Sequence, residues 1–177
     1  EGTAGRTGNG VGKSLVGSGI VLGFLTTRPG SRAIVAAPTT GQLAGVLWAE
    51  MQAARTRAEK LGLPLGGRLN GLTLDYGDGW TLEGFGQGSV EARSGRHAGE
   101  LLAVIDEASG VKPSVLEAID SLNPSRYLYL GNPLRPDGKF FEVCERPGPH
   151  VNVIRISSLE SPDITLPRSS RGMADAG

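Results

Sequence analysis

Residues 7–14 read TGNGVGKS, and no other stretch restricts the fold of this chain as much. The phosphate-loop pattern is G-x-x-x-x-G-K-[ST]. Gly12, Lys13 and Ser14 fill its second half, and Thr7 stands at the first glycine position. Gly8, Gly10 and Gly12 allow a tight bend, because glycine reaches positive φ cheaply and lets backbone approach a ligand. The N–H groups of such a bend converge at the positive end of the following helix. Lys13 then reaches β- and γ-phosphates, and the Ser14 hydroxyl joins a Mg²⁺ shell. The candidate nucleotide contacts are Thr7, Gly8, Asn9, Gly10, Val11, Gly12, Lys13 and Ser14. The plain alternative is a glycine-rich turn before a helix.

A phosphate loop needs a strand before it and a buried helix after it. Residues 1–6, EGTAGR, stand where that strand belongs, and their shortness predicts a chain that begins inside the strand. Residues 13–25 form an apolar helix, with Leu15, Val16, Ile20, Val21, Leu22, Phe24 and Leu25 spread nearly all round it. That pattern predicts burial on every side. Gly17, Gly19 and Gly23 weaken the helix but permit close packing on a sheet.

Further on, 33–37, AIVAA, reads as a buried parallel strand. Thr39 or Thr40 then caps a helix of about 20 residues. Its apolar face is Leu43, Val46, Leu47, Met51, Ala54, Ala58 and Leu61, and Gly62 and Pro64 close it. Thr39, Thr40 and Gln42 could also touch a DNA backbone, though capping is the simpler account. Residues 72–76 and 80–85 flank Gly77-Asp78-Gly79 as an inserted β-hairpin. A polar loop, 86–99, precedes the apolar strand 101–105. A short helix at 113–121 carries Pro113 in its first turn. Strands at 127–130 and 151–156 follow. From Ser157 the chain is rich in Pro and Ser and reads as a linker. The expected division is a core over 1–157 and a linker over 158–177.

Apolar strands alternating with helices define an α/β fold, a mostly parallel sheet covered on both faces. Such sheets bind ligands at the carboxyl ends of their strands. The strand 101–105 ends there in Asp106-Glu107. With a phosphate loop upstream, Asp106 suits the Mg²⁺ shell and Glu107 suits orienting the attacking water. The alternative is a strand ending in two solvated acids. Gly131-Asn132-Pro133 ends the next strand, where Asn132 meets the γ-phosphate or its water, or simply forms a turn. Arg96, with Arg93, lies in the loop before the Asp-Glu strand and could meet a neighbouring subunit's site. Arg6 could act within its own chain instead.

Composition narrows the partners little. The 177 residues carry 18 Lys plus Arg and 18 Asp plus Glu. No basic tail announces nucleic acid, yet a local patch can sit inside a neutral total. Cys144 is the single cysteine, so no internal disulfide can form. His97 and His150 are isolated and lack zinc-ligand spacing. No apolar run approaches the roughly 20 residues of a membrane span.

In order, TGNGVGKS, IVAAPTTGQLAGVLWAE, GRHAGELLAVIDEASGV, YLYLGNPLRPDGKFF and RISSLESPDI resemble the ATPase domain of tailed-phage terminase large subunits. The resemblance runs through nearly the whole chain. It implies a three-layer phosphate-loop NTPase of the additional-strand, catalytic-Glu type, with ATP and Mg²⁺ as cofactors. It implies a homo-oligomeric ring that drives double-stranded DNA through a portal into a capsid, with a small terminase subunit as partner. The setting it implies is the cytoplasm of a bacterial host. It also implies a C-terminal nuclease domain, whose acidic cluster this chain does not carry. Carried over residue by residue, Lys13 and Ser14 match the loop pair, Asp106 and Glu107 the two acids, Asn132 the coupling motif, and Arg96 the arginine directed at the next subunit. Thr7 departs from the first loop glycine, and Asn9 stands where some relatives have a second loop arginine. The resemblance also implies an adenine-contacting segment before the loop, which residues 1–6 do not supply. Two other readings stay open. One is a helicase-like or other ring ATPase, since PTTGQ also resembles a helicase segment. The other is a nucleotide-binding module without turnover.

Overall fold

The computed structural model describes residues 1–8, 11–86, 99–132, 136–157 and 159. Its strands are β1 (Gly2–Thr7), β2 (Arg32–Ala36), β3 (Arg68–Asn70), β4 (Thr73–Gly77), β5 (Trp80–Phe85), β6 (Leu101–Ile105), β7 (Arg126–Gly131) and β8 (Val151–Ile156). Its helices are α1 (Lys13–Thr27), α2 (Thr40–Gln42), α3 (Ala49–Lys60), α4 (Pro113–Ser121) and α5 (Lys139–Glu145). A π-helical stretch, Leu43–Trp48, joins α2 to α3 without a break.

Among the described residues the strands make one sheet, in the order β3-β4-β5-β2-β6-β7-β1-β8. The run from β5 to β8 is parallel throughout. Strand β7 lies between β1 and β6, so one strand separates the phosphate-loop strand from the Asp-Glu strand. This is the additional-strand arrangement expected from the resemblance.

Every residue of β2 and β6 is buried, as suits central strands covered on both faces. On one face α1, the π-helical stretch and α3 bury Val21, Leu25, Leu43, Leu47 and Met51 against the sheet. On the other, α4 and α5 bury Leu116, Ile119 and Phe140. Buried apolar area of this kind is worth about 25 cal/mol per Å², so these two layers supply most of the drive to fold.

The hairpin forms as the sequence predicts, antiparallel, with Gly77 paired to Trp80. Gly77, Asp78 and Gly79 all take positive φ, at 93°, 50° and 81°. The Gly77 N–H donates to Asp75 Oδ1 at 2.8 Å, which tightens the turn. It is less of an insertion than expected, because β5 also pairs in parallel with β2. Thr39 is the cap: its hydroxyl accepts the Gln42 N–H at 3.1 Å.

Three expectations need correction. Helix α1 is not buried all round. Leu15, Val16 and Ile20 are 51%, 55% and 41% exposed, because the helix lies on a single sheet face. Among the described residues Gly17 is the one glycine of the helix that is a packing site; Gly19 and Gly23 have nothing there within 4 Å of a built Cβ. In the second long helix, Val46 and Leu61 point outward, while Trp48 is buried in their stead. The π-helical stretch adds residues per turn there and rotates the apolar face away from a regular 3.6 spacing. Strand β3 and helix α5 had no predicted counterpart. Strand β3 is three exposed residues, too short for a pattern to show, and α5 is only seven residues long. Residues 158 and 160–177, the expected linker, lie outside the described residues.

Candidate nucleotide site

The site gathers at the carboxyl ends of β1, β6 and β7. Strand β1 leads into the loop, and the Gly8 N–H donates to the Ile156 carbonyl at 3.1 Å, tying the loop's start to β8. Gly12 takes φ 78°, a left-handed turn that a side chain would strain. The first helical bond of α1 runs from the Val16 N–H to the Gly12 carbonyl at 3.0 Å. Among the described residues no side chain caps the helix, and no acidic residue sits in its first turn. Its leading N–H groups therefore remain available to an anion. Asn9 and Gly10 lie outside the described residues, as do Arg93, Arg96 and His97.

Lys13 curls back over the loop. Its Nζ donates to the Gly8 carbonyl at 2.9 Å, and its side chain is 8% exposed. Its other neighbour is Glu107, whose Oε1 lies 3.8 Å from Nζ. Residues 94 positions apart in sequence are thus paired through the sheet. Ser14 follows Lys13 in the first turn of α1 and is half-buried.

Asp106 leaves β6 with its N–H still donating to the Ala36 carbonyl of β2 at 2.8 Å. Its carboxylate is buried and accepts the Glu107 N–H at 3.1 Å. Burial, and then the negative charge of Glu107, push its pKa above the usual carboxylate value. The Glu107 N–H and the Lys13 ammonium act in the opposite direction. Glu107 itself takes φ 48°, left-handed and uncommon for a residue with a side chain. A 3-10 turn, Ala108–Gly110, holds it there, with the Gly110 N–H donating to the Glu107 carbonyl at 2.8 Å. Strain of this sort persists only where surrounding structure over-determines it, and it clusters at functional sites.

Asn132 follows β7 directly and is half-buried. Register pairs Gly131 with Arg6, so Asn132 comes one residue beyond that pair, level with the end of β1. Thr7 is buried, and its hydroxyl has no hydrogen-bond partner among the described residues. Arg6 is committed elsewhere: its guanidinium pairs with Glu145 at the end of α5. Arg155 Nη2 stands 3.9 Å from the same carboxylate. The structure therefore unites Lys13 with Asp106 and Glu107, sets Ser14 and Asn132 at the same sheet edge, and turns Arg6 toward α5.

Sequence reasoning missed two features of the site. The left-handed turn at Glu107 has no local signal, because glutamate is no turn former. Gly131 reads as part of a turn, but it is the last residue of β7 and packs closely on the turn after Glu107.

No family model matches the chain. A curated relative, the probable terminase large subunit of Enterobacteria phage P7, is 32% identical over 180 positions. The match covers 90% of this chain and 36% of that protein, so the chain spans about a third of the relative's length. The fold is that of solved terminase structures. The large terminase ATPase domain of Thermus phage P74-26 superposes with a TM-score of 0.64 at 16% identity, covering 96% of this chain and 85% of that one. The large terminase of another thermophilic bacteriophage, in complex with ADP, gives 0.63 at 14%, covering 98% and 44%. With that sequence relative and this fold, the chain belongs to the terminase large-subunit family, and the segment it represents has the fold of the family's ATPase domain.

Proposed function

We propose that this chain is the ATP-hydrolysing motor core of a phage terminase large subunit. The observation that carries this reading is the meeting of Lys13 with the Asp106-Glu107 pair at one sheet edge. A binding module needs the lysine and the loop; it does not need a second acid held in a strained turn beside them.

The roles follow from position and chemistry. The N–H groups of residues 8–14 and the Lys13 ammonium hold the β- and γ-phosphates. Glu107 orients the attacking water and accepts its proton. Asn132 contacts the γ-phosphate or that water. Arg96 of a neighbouring subunit stabilises charge developing on the γ-phosphate. Asp106 and the Ser14 hydroxyl are the hard oxygen donors that Mg²⁺ prefers. The donor set fits: the Asp106 carboxylate is buried beside Glu107, and its pKa is raised first by burial and then by the Glu107 charge, both of which a divalent cation would offset. When bound, Mg²⁺ neutralises charge on the phosphate oxygens.

The second of the two phage terminases was solved in complex with ADP, which supports nucleotide binding by this chain. By family, the work done is translocation of double-stranded DNA, in a homo-oligomeric ring on a portal, with a small terminase subunit, in the host cytoplasm. Among the described residues no helix is long and apolar enough to cross a membrane. Nuclease activity is not part of this proposal.

The test is ATP turnover over a wide range of protein concentration, with and without double-stranded DNA. Turnover per subunit should rise with concentration, and Arg96→Ala should flatten the rise. Glu107→Ala should keep nucleotide binding and stop hydrolysis. Hydrolysis that survived this change would remove Glu107 from its role.

A further inference from the structure

Gly131 ends β7, one residue before Asn132. A Cβ built on it would lie 3.1 Å from the Ala108 backbone nitrogen, and 3.1 and 3.2 Å from Cε1 and Cζ of Phe140. All three contacts are tighter than ordinary van der Waals distance. Phe140 lines a cavity with Ala108, Val111, Leu116 and Lys139. It is 3% exposed and packs in one cluster with Ala108, Tyr129 and Cys144. The Ala108 nitrogen belongs to the peptide that joins it to Glu107, the residue at φ 48°.

We propose that Gly131 is a positioning residue for Glu107. Its bare Cα lets the Glu107–Ala108 peptide lie flush against the end of β7, while the Phe140 ring closes the other side. The direction of the Glu107 carboxylate is thereby set by the strand that carries Asn132. A methyl group at Gly131 has two ways out: it displaces the ring, or it displaces the peptide and turns the carboxylate with it. The ring tip beside that cavity takes part of the displacement, and the peptide takes the rest and carries the carboxylate with it. The proposal rests on Glu107 being the residue that activates water.

The experiment compares the chain with Gly131→Ala, Gly131→Ala/Phe140→Leu and Glu107→Gln. It reads kcat, KM, ADP affinity, thermal midpoint and amide exchange at Gly110, whose N–H bonds the Glu107 carbonyl. Gly131→Ala should lower kcat by about tenfold or more, since misplacement of about 1 Å can cost on the order of 100-fold. KM and ADP affinity should hold. Gly110 should exchange faster while the amides of β6 stay protected. Phe140→Leu, added to it, should restore much of the lost kcat while lowering the thermal midpoint further. That split separates positioning from stability, because a purely structural defect would worsen on both measures. Unchanged Gly110 exchange in Gly131→Ala would overturn the proposal even if the isolated chain did not turn over ATP. So would a double variant slower than the single. Full turnover in Glu107→Gln would overturn the role of Glu107 instead, leaving the exchange result to judge the geometry.

Discussion

Lys13 Nζ lies 3.8 Å from Glu107 Oε1 and 2.9 Å from the Gly8 carbonyl. One cation is thus shared between the loop it comes from and the acid at the end of β6. On the proposed function, a β- or γ-phosphate entering the loop would compete with both for the same ammonium. Charge-assisted hydrogen bonds are worth about 1.5–3 kcal/mol. Lys13→Ala should weaken ADP binding at least about tenfold, read by nucleotide titration. Binding as tight as that of the unaltered chain would mean that the loop amides suffice alone.

Asp106 sets a pH dependence whose sign can be derived. Its folded-state pKa is raised from 3.8, so between that value and the folded one the native state holds more protons than the unfolded state. Stability from this group is fully present below the unfolded pKa and is lost as pH rises through the folded pKa. Asp106→Asn should therefore raise the thermal midpoint at pH 7 and change it little at acid pH. Added Mg²⁺ should stabilise the unaltered chain and not the variant. Equal shifts at both pH values would assign the gain to packing rather than to charge.

Arg6 and Glu145 pair at side chains about one-third exposed, 33% and 36%. Such pairs contribute at most about 1 kcal/mol. Arg6→Ala should lower the thermal midpoint slightly, Glu145→Ala slightly more because it also removes the Arg155 contact, and both should leave ATP turnover unaltered. Loss of turnover in Arg6→Ala alone would make Arg6 an arginine finger acting within its own chain.

The glycines of α1 divide by their surroundings. A Cβ at Gly17 would lie 2.9 Å from Leu130 Cδ1 and 3.3 Å from Leu47 Cδ1. Gly19 and Gly23 open onto free space. Alanine gains about 1 kcal/mol over glycine within a helix. Gly19→Ala and Gly23→Ala should each raise stability by about that much in urea melts. Gly17→Ala should lose the gain to overpacking, which costs about 1–3 kcal/mol. A stabilised Gly17→Ala would show that the two leucine ends move aside freely.

The chemistry of the site was legible in the residues themselves. Gly12, Lys13 and Ser14 open a helix, and Asp106 and Glu107 end an apolar strand. Both signals are local, because a phosphate loop needs glycine and lysine in sequence and a buried strand needs an unbroken apolar run. The alternation of strands and helices was legible for the same reason, as were the Thr39 cap and the glycine turn at 77–79. Strand order was not. That β7 separates β1 from β6 is a matter of hydrogen bonds between segments more than 100 residues apart, such as Gly2 and Tyr127. The exposure of Leu15, Val16 and Ile20 depends on which side of α1 meets the sheet, and an all-round apolar helix carries no mark of that. Helix α5 carries too few residues for a period to appear. Above all, the left-handed turn at Glu107 is opposed by its own side chain. Only the packing of Ala108 against Gly131 and Phe140, together with the Gly110 hydrogen bond, over-determines it. Sequence by itself named the candidate groups and the elements that carry Lys13, Asp106 and Glu107; tertiary contact decided how those three are set against each other, because close packing can hold a conformation that local preference disfavours.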